Sequence, residues 1–331
     1  MRIFYALAAT LAAACLTALA RAEVGELKIT KQPSIIYLPM VIMEEQRLVE
    51  KHAARMGLPD LKTTWLTFSS GGASTEALIS GNVDLVTSGV TNLALLWDRT
   101  RGAVKGVAAT AGLPMLLVTR NPNVKTLRDF GEKDRIAVPT IRVSSQAVML
   151  QMALEQAYGP DGVRRLDAQL VQLGHPEAMQ ALSHPGHEVN SHYSAPPYQS
   201  RELKLPGVHA VLDSSETMGG PVTNAVVFAG VTFHDANPKT IAAFLAALDE
   251  ANGFIAADKR RAAEIYLAAT KEKLAPDEIV EMLEQPNVVF SSTPQGTMKL
   301  VAFMARTGLI KQAPAGWKDL FFPELHGRPG S

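Results

Sequence analysis

Four short stretches place small or hydroxyl-bearing residues immediately ahead of an apolar-periodic run. They are Gln32-Pro33-Ser34, Ser69-Ser70-Gly71-Gly72, Gly89-Val90-Thr91-Asn92 and Arg142-Val143-Ser144-Ser145. The first N–H groups of a helix have no intrahelical partner and favour an anion, and glycine lets a ligand approach the backbone closely. Arg142 offers a fixed positive charge, while His192 and Tyr193 offer aromatic surface. Each also has a plainer explanation. Ser69, Thr91 and Ser144 suit ordinary N-caps, Arg142 suits a solvated surface, and His192 and Tyr193 suit packing beside a strand end. Tyr37, Trp65 and Trp97 read as packing residues.

A second grouping, His184, His187, Glu188 and His192, has the ligand types that zinc accepts. Its spacing spans a Pro-Gly turn and then a strand, so a solvated turn is the better reading and no metal is expected. The sequence carries no G-x-S-x-G elbow, P-loop, H-E-x-x-H or G-x-G-x-x-G pattern. No cofactor is expected, and the chain does not read as an enzyme.

The elements that must hold these loops alternate between strand and helix, which implies an α/β fold with largely parallel sheets. Strands are expected at Leu27–Thr30, Thr63–Phe68, Val83–Thr87, Val104–Thr110, Met115–Thr119, Ile136–Pro139, Ala168–Leu173, Val208–Leu212 and Asn224–Ala229. Leu38, Val41, Ile42, Val49, Ala53 and Met56 recur at helical spacing and predict one helix ended by Gly57. Another helix opens at His175-Pro176-Glu177, and Asn237-Pro238 caps a long apolar one. The last helix is expected from Thr293-Pro294 to Gly308. Glu76–Asp84 and Gln180–Asn190 share the order helix end, glycine, strand start, a weak internal echo of two similar halves.

Residues 1–22 have the form of a signal peptide: Arg2, an apolar run through Leu19, then Ala20-Arg21-Ala22. Export to the periplasm is therefore expected, with cleavage near Ala22. A lipoprotein route through Cys15 is disfavoured, because the usual Leu three residues earlier is missing. Cys15 is the sole cysteine of the 331 residues, so no disulfide or thiolate is expected after cleavage. Lys+Arg 32 balances Asp+Glu 32, so nucleic acid is not expected as a partner. Arg120-Asn121-Pro122 and Gly219-Gly220-Pro221 punctuate the chain. They divide it into a first lobe at 23–119, a second at 120–222, and a return at 223–331. Thr110 and Thr223 then stand near the crossings.

In order and separation, these stretches resemble the type II periplasmic binding proteins of the nitrate, sulfonate and taurine group, which are also similar to pyrimidine-precursor binding proteins. The stretches that carry the resemblance are Glu76–Gly89, Lys125–Phe130, Arg135–Pro139 and Val189–His192 followed by Pro196-Pro197. Asn190 stands where the family commonly has an acid, and His192 where it has an aromatic residue. The resemblance implies two lobes, each a mixed, mainly parallel sheet flanked by helices, joined by two strands that act as a hinge. It implies a small-molecule solute held between the lobes, an ABC-importer permease in the inner membrane as partner, and a monomer. The candidate ligand contacts are then Gln32, Pro33, Ser34, Ser69, Ser70, Gly71, Gly89, Thr91, Asn92, Arg142, Ser144, Ser145, His192 and Tyr193. A sulfonate such as taurine, or a carboxylate, is the expected solute. The alternative is a periplasmic enzyme or sensor domain on the same scaffold, pyrimidine-related, or a metal-binding protein. The branch that makes a thiamine pyrimidine carries a cysteine-rich motif that has no counterpart here.

Overall fold

The computed structural model describes residues 23–331. The expected signal peptide, including Cys15 and the cleavage point near Ala22, lies outside the described residues.

In the first lobe β1 (Glu26–Lys31) and β2 (Lys62–Thr67) pair in parallel. β3 (Val86–Gly89) continues this sheet through a parallel bridge between Ile29 and Leu85. β10 (Ala225–Gly230) runs antiparallel between β3 and β4 (Val104–Gly112), and β11 (Val289–Phe290) closes the edge beside β4. β10, and β4 from Gly106 onward, read as unbroken runs of small and apolar residues because helices cover the sheet. The second lobe has the strand order β7-β6-β8-β5-β9, formed by Leu170–Gln172, Ile136–Val138, Ser191–Ser194, Leu116–Thr119 and His209–Asp213.

β5 was expected with the first lobe, but it pairs antiparallel with β8 and β9. The chain therefore changes lobe at 113–115, before Arg120-Asn121-Pro122. Strand partners are non-local, and a proline turn marks a bend without saying which sheet the preceding strand joins. The return passage lies against the outgoing one. A Cβ built on Gly112 would stand 2.3 Å from the Val222 carbonyl oxygen, so only glycine fits there.

The helices are α1 (Leu38–Glu45), α2 (Leu48–Arg55), α3 (Gly71–Ile79), α4 (Val90–Arg99), α5 (Ser145–Tyr158), α6 (His175–Ser183) and α7 (Tyr198–Glu202). They continue with α8 (Ser214–Met218), α9 (Val231–Ala236), α10 (Pro238–Ala257), α11 (Lys259–Thr270), α12 (Pro276–Leu283), α13 (Thr297–Arg306) and α14 (Trp317–Leu320). The single helix expected through Met56 is broken at Arg47, which takes a left-handed φ of 51°. Likewise α13 starts behind Gly296, at φ 63°, rather than at Thr293-Pro294. α10 is long and apolar enough to cross a membrane by composition. Ile241, Phe244, Ala247, Leu248 and Ala251 are buried, and the helix packs on α1 and α2. Burial of each large side chain there contributes about 1.5–3 kcal/mol, enough to account for this helix as part of a protein core.

Candidate functional site

Four helices begin at the gap between the two sheets, two from each lobe. α3 follows Ser70, whose hydroxyl accepts from the Ala73 N–H, and α4 follows Gly89. α5 follows Ser144, whose hydroxyl accepts from the Ala147 N–H, and α6 follows Gly174. Gly71, Gly89, Ser144, Ser145 and His175 from these starts line one buried cavity of about 40 Å³. Gln32, Ser34, Tyr37, Ser88, Asn92, Gln146 and Asn224 complete its polar wall. Among the described residues lining it there is no Asp, Glu, Lys or Arg. That volume admits roughly three water molecules.

The cavity is small because the lobes touch around it. Thr140 Oγ1 accepts from the Gly72 N–H at 3.4 Å, and Thr91 Oγ1 lies 3.5 Å from Ser145 Oγ. Ser145 Oγ donates to the Asn224 carbonyl at 3.4 Å, and Ser34 Oγ donates to the Pro196 carbonyl at 2.7 Å. The glycines are sterically required. A Cβ on Gly71 would stand 2.1 Å from Ser88 Oγ and 2.5 Å from Asn92 Nδ2, and one on Gly89 would stand 2.7 Å from Ser145 Oγ.

A second cavity of about 650 Å³ adjoins the first through Gln32 and Ser34, which line both. Its walls carry Val41, Met179, Tyr198, Tyr266 and Ala269 beside Gln180, Ser183, Thr67 and Thr270. Its charges are internally matched. Lys31 pairs with Glu44, and Arg201 of the second lobe reaches Glu272 of the first at 2.6 Å.

Most of the expected contacts fall at these two cavities. Gln32 and Ser34 face both, Pro33 the larger, and Gly71, Gly89, Asn92, Ser144 and Ser145 the smaller. Ser69 is exposed and lines neither cavity, and Ser70 is buried as the cap of α3. Thr91 is buried against Ser145. Arg142 is not brought to the cavity. Its backbone is left-handed, at φ 66°, and its guanidinium lies 3.5 Å from Asp167 with the side chain 58% exposed. Tyr193 is fully buried inside its lobe, where burial pushes its hydroxyl well above the usual range. His192 is also fully buried and reaches the cavity only through His175, 2.9 Å away. It is separate from His184, His187 and Glu188, which border an open surface hollow of about 550 Å³.

Several lining residues were not anticipated: Ser88, Gln146, His175 and Asn224 in the small cavity, and Tyr198, Arg201, Tyr266 and Glu272 in the large one. His175 had a usable signal, a strand followed by Gly174 and a helix opening on Pro176, the same local order as the other loops. Tyr37 lines the small cavity although its sequence context suggests packing alone. Thr110 donates from Oγ1 to the Ala225 carbonyl at 3.1 Å, and Thr223 Oγ1 accepts from the Gln295 N–H at 3.0 Å, so both serve the crossing strands.

No protein-family model and no curated protein sequence matches the chain. Solved structures do. The alkanesulfonate-binding protein SsuA from Xanthomonas axonopodis pv. citri, bound to MOPS, superposes with TM-score 0.69 at 18% identity, over 87% of this chain and 93% of that one. The periplasmic aliphatic sulphonate binding protein SsuA from Escherichia coli gives TM-score 0.65 at 20% identity, over 93% and 100% of the chains. A ligand binding component of an ABC-type import system from Staphylococcus aureus, with zinc bound, gives 0.70 at 17% identity, over 92% and 98%. With two mixed sheets flanked by helices and a cleft between them, the chain has the fold of the periplasmic solute-binding proteins of ABC importers.

Proposed function

We propose that the chain is the periplasmic solute-binding component of an ABC importer and that its solute is a small organic anion, a sulfonate or carboxylate. One observation carries this reading: four helix N-termini, two from each lobe, meet at a buried cavity with no acidic residue in its wall. Each N-terminus acts as roughly half a positive charge and offers unpaired N–H donors. Asn224 Nδ2, buried and without a hydrogen-bond partner among the described residues, supplies a further donor.

The neighbouring cavity argues for an organic body behind the anionic head. Its volume of about 650 Å³ matches ordinary ligand pockets, and its tyrosines, methionine and valine suit carbon rather than water. Nitrate would leave it empty. The sulfonate-binding proteins among the structural neighbours support the same class of solute. In this reading the lobes separate and close about the passages at 113–115 and 219–224, and a membrane permease receives the closed form. The working unit is a monomer.

A thermal-shift screen of residues 23–331 tests this. An alkanesulfonate or carboxylate raises the Tm by binding the native state alone. A rise with neutral sugars, or with zinc only, would overturn it.

A further inference from the structure

Behind the small cavity lies a chain of buried side chains that anion binding by helix N-termini leaves unused. Gln146 Nε2 is 3.3 Å from His175 Nε2, His175 Nδ1 is 2.9 Å from His192 Nε2, and His192 Nδ1 is 2.7 Å from Glu202 Oε1. His192 and Glu202 are fully buried, and His175 is 9% exposed. Glu202 Oε2 has no hydrogen-bond partner among the described residues.

The direction of each bond follows from what each atom can do. An amide nitrogen only donates, so His175 Nε2 accepts and its ring proton sits on Nδ1. That proton is donated to His192 Nε2, and the His192 Nδ1–H is donated to the carboxylate. Both rings are then neutral, with one carboxylate charge at the far end. A proton added at His175 Nε2 reverses the chain. The His175 Nδ1 proton passes to His192 Nε2, His192 becomes an imidazolium paired with Glu202, and His175 keeps a single proton, now on Nε2. The bond from Gln146 Nε2 is given up, and the new His175 Nε2–H donates to the solute's anionic group. One proton enters from solvent, and only N–H bonds form or break.

We propose that His175, backed by His192 and Glu202, is a proton-coupled specificity residue: the solute's anionic group and one proton bind together, and the proton turns the cavity face of His175 from acceptor to donor. This rests on the anionic reading of the cleft. Anion and proton attract, so each raises the affinity of the other by the same factor. Without an anion, burial and the neighbouring His192 hold His175 well below the usual imidazole range. The other groups around it do not supply the missing charge. Arg201 is engaged by Glu272, which also accepts from the Tyr198 hydroxyl at 3.2 Å. Tyr37, Tyr193 and Tyr198 are pushed up by burial and stay neutral. Glu177, on the same helix, and Glu202 both favour a proton.

Imidazole nitrogen NMR and calorimetry separate the relay from the anion reading. In the ligand-free chain at about pH 7.5, His175 and His192 should both be neutral with the proton on Nδ1; an Nε2-protonated or imidazolium form of either ring overturns the relay. Ethanesulfonate, titrated in two non-sulfonate buffers of unlike ionisation heat, should take up about one proton per anion. Its affinity should fall about tenfold per pH unit between the ring's free and anion-bound values. Glu202→Gln should abolish the uptake. His175→Gln, at the cavity wall, should do the same and serves if the buried variant does not fold. Binding without proton uptake overturns the relay alone. Failure of every sulfonate and carboxylate to bind overturns the anion reading and this proposal together.

Discussion

Gly89 and Ser145 meet across the cleft so closely that a methyl group on Gly89 would stand 2.7 Å from Ser145 Oγ. Gly89 belongs to the first lobe and Ser145 opens a helix of the second. Its φ of −62° is ordinary, so the glycine is there for contact between lobes and not for backbone freedom.

Gly89→Ala should therefore leave the fold intact and obstruct closure. Overpacking costs about 1–3 kcal/mol, and here it falls on the closed form. Calorimetry should show solute affinity lower by about fivefold to a hundredfold, with the ligand-free Tm within a few degrees of wild type. Gly71→Ala is the contrast. Its methyl collides with Ser88 and Asn92 inside one lobe, so the ligand-free Tm itself should drop.

The loops that form the cleft were legible because their signal is local. Ser69-Ser70-Gly71, Gly89-Val90-Thr91 and Ser144-Ser145 announce a helix start in two or three residues. What completes the cleft was not. Gln146 lies inside an apolar helix, and Asn224 becomes a lining residue only because the returning chain brings it between the start of α4 and Ser145 of the second lobe. Tyr198, Arg201 and Glu272 meet across 71 residues of chain or more. β5 was assigned to the wrong lobe for the same reason, since its pairing depends on β8 and β9. Arg142 looked like an anion clamp by type and position, but its left-handed backbone carries the side chain outward to Asp167.

Arg142→Ala should accordingly leave solute affinity within about twofold of wild type, because an exposed ion pair contributes at most about 1 kcal/mol. A loss beyond tenfold would mean that Arg142 reaches the solute.

The pair of Arg201 and Glu272 spans the lobes, with side chains 30% and 16% exposed. Glu272→Gln should weaken the closed state by about 0.5–1 kcal/mol, which is roughly a two- to fivefold loss of affinity, reduced further by salt. Calorimetry at low and high ionic strength should show the two proteins converging as salt rises.

Acid stability follows from His175. In the unfolded chain its imidazole takes up a proton near pH 6.5. In the folded chain, burial holds it neutral to well below that value. The unfolded state thus binds more protons in this interval. The contribution is present in full above about pH 6.5 and is lost as pH falls from there toward the folded value. Urea unfolding between about pH 8 and 5 should show this loss, and His175→Gln should flatten it.

The most direct test of anion capture at the helix starts is calorimetry of Ser145→Asp with the sulfonate or carboxylate that most raises the wild-type Tm. The new carboxylate sits on the first residue of a helix, where the dipole tolerates it, yet it faces the cavity. Ser145 packs against Gly89, so the uncharged isostere Ser145→Asn is the control for size, and the affinity of the aspartate variant should lie at least a hundredfold (about 3 kcal/mol) below that of the asparagine variant. An affinity equal to that of the asparagine variant would contradict the placement of the solute's charge at these helix starts.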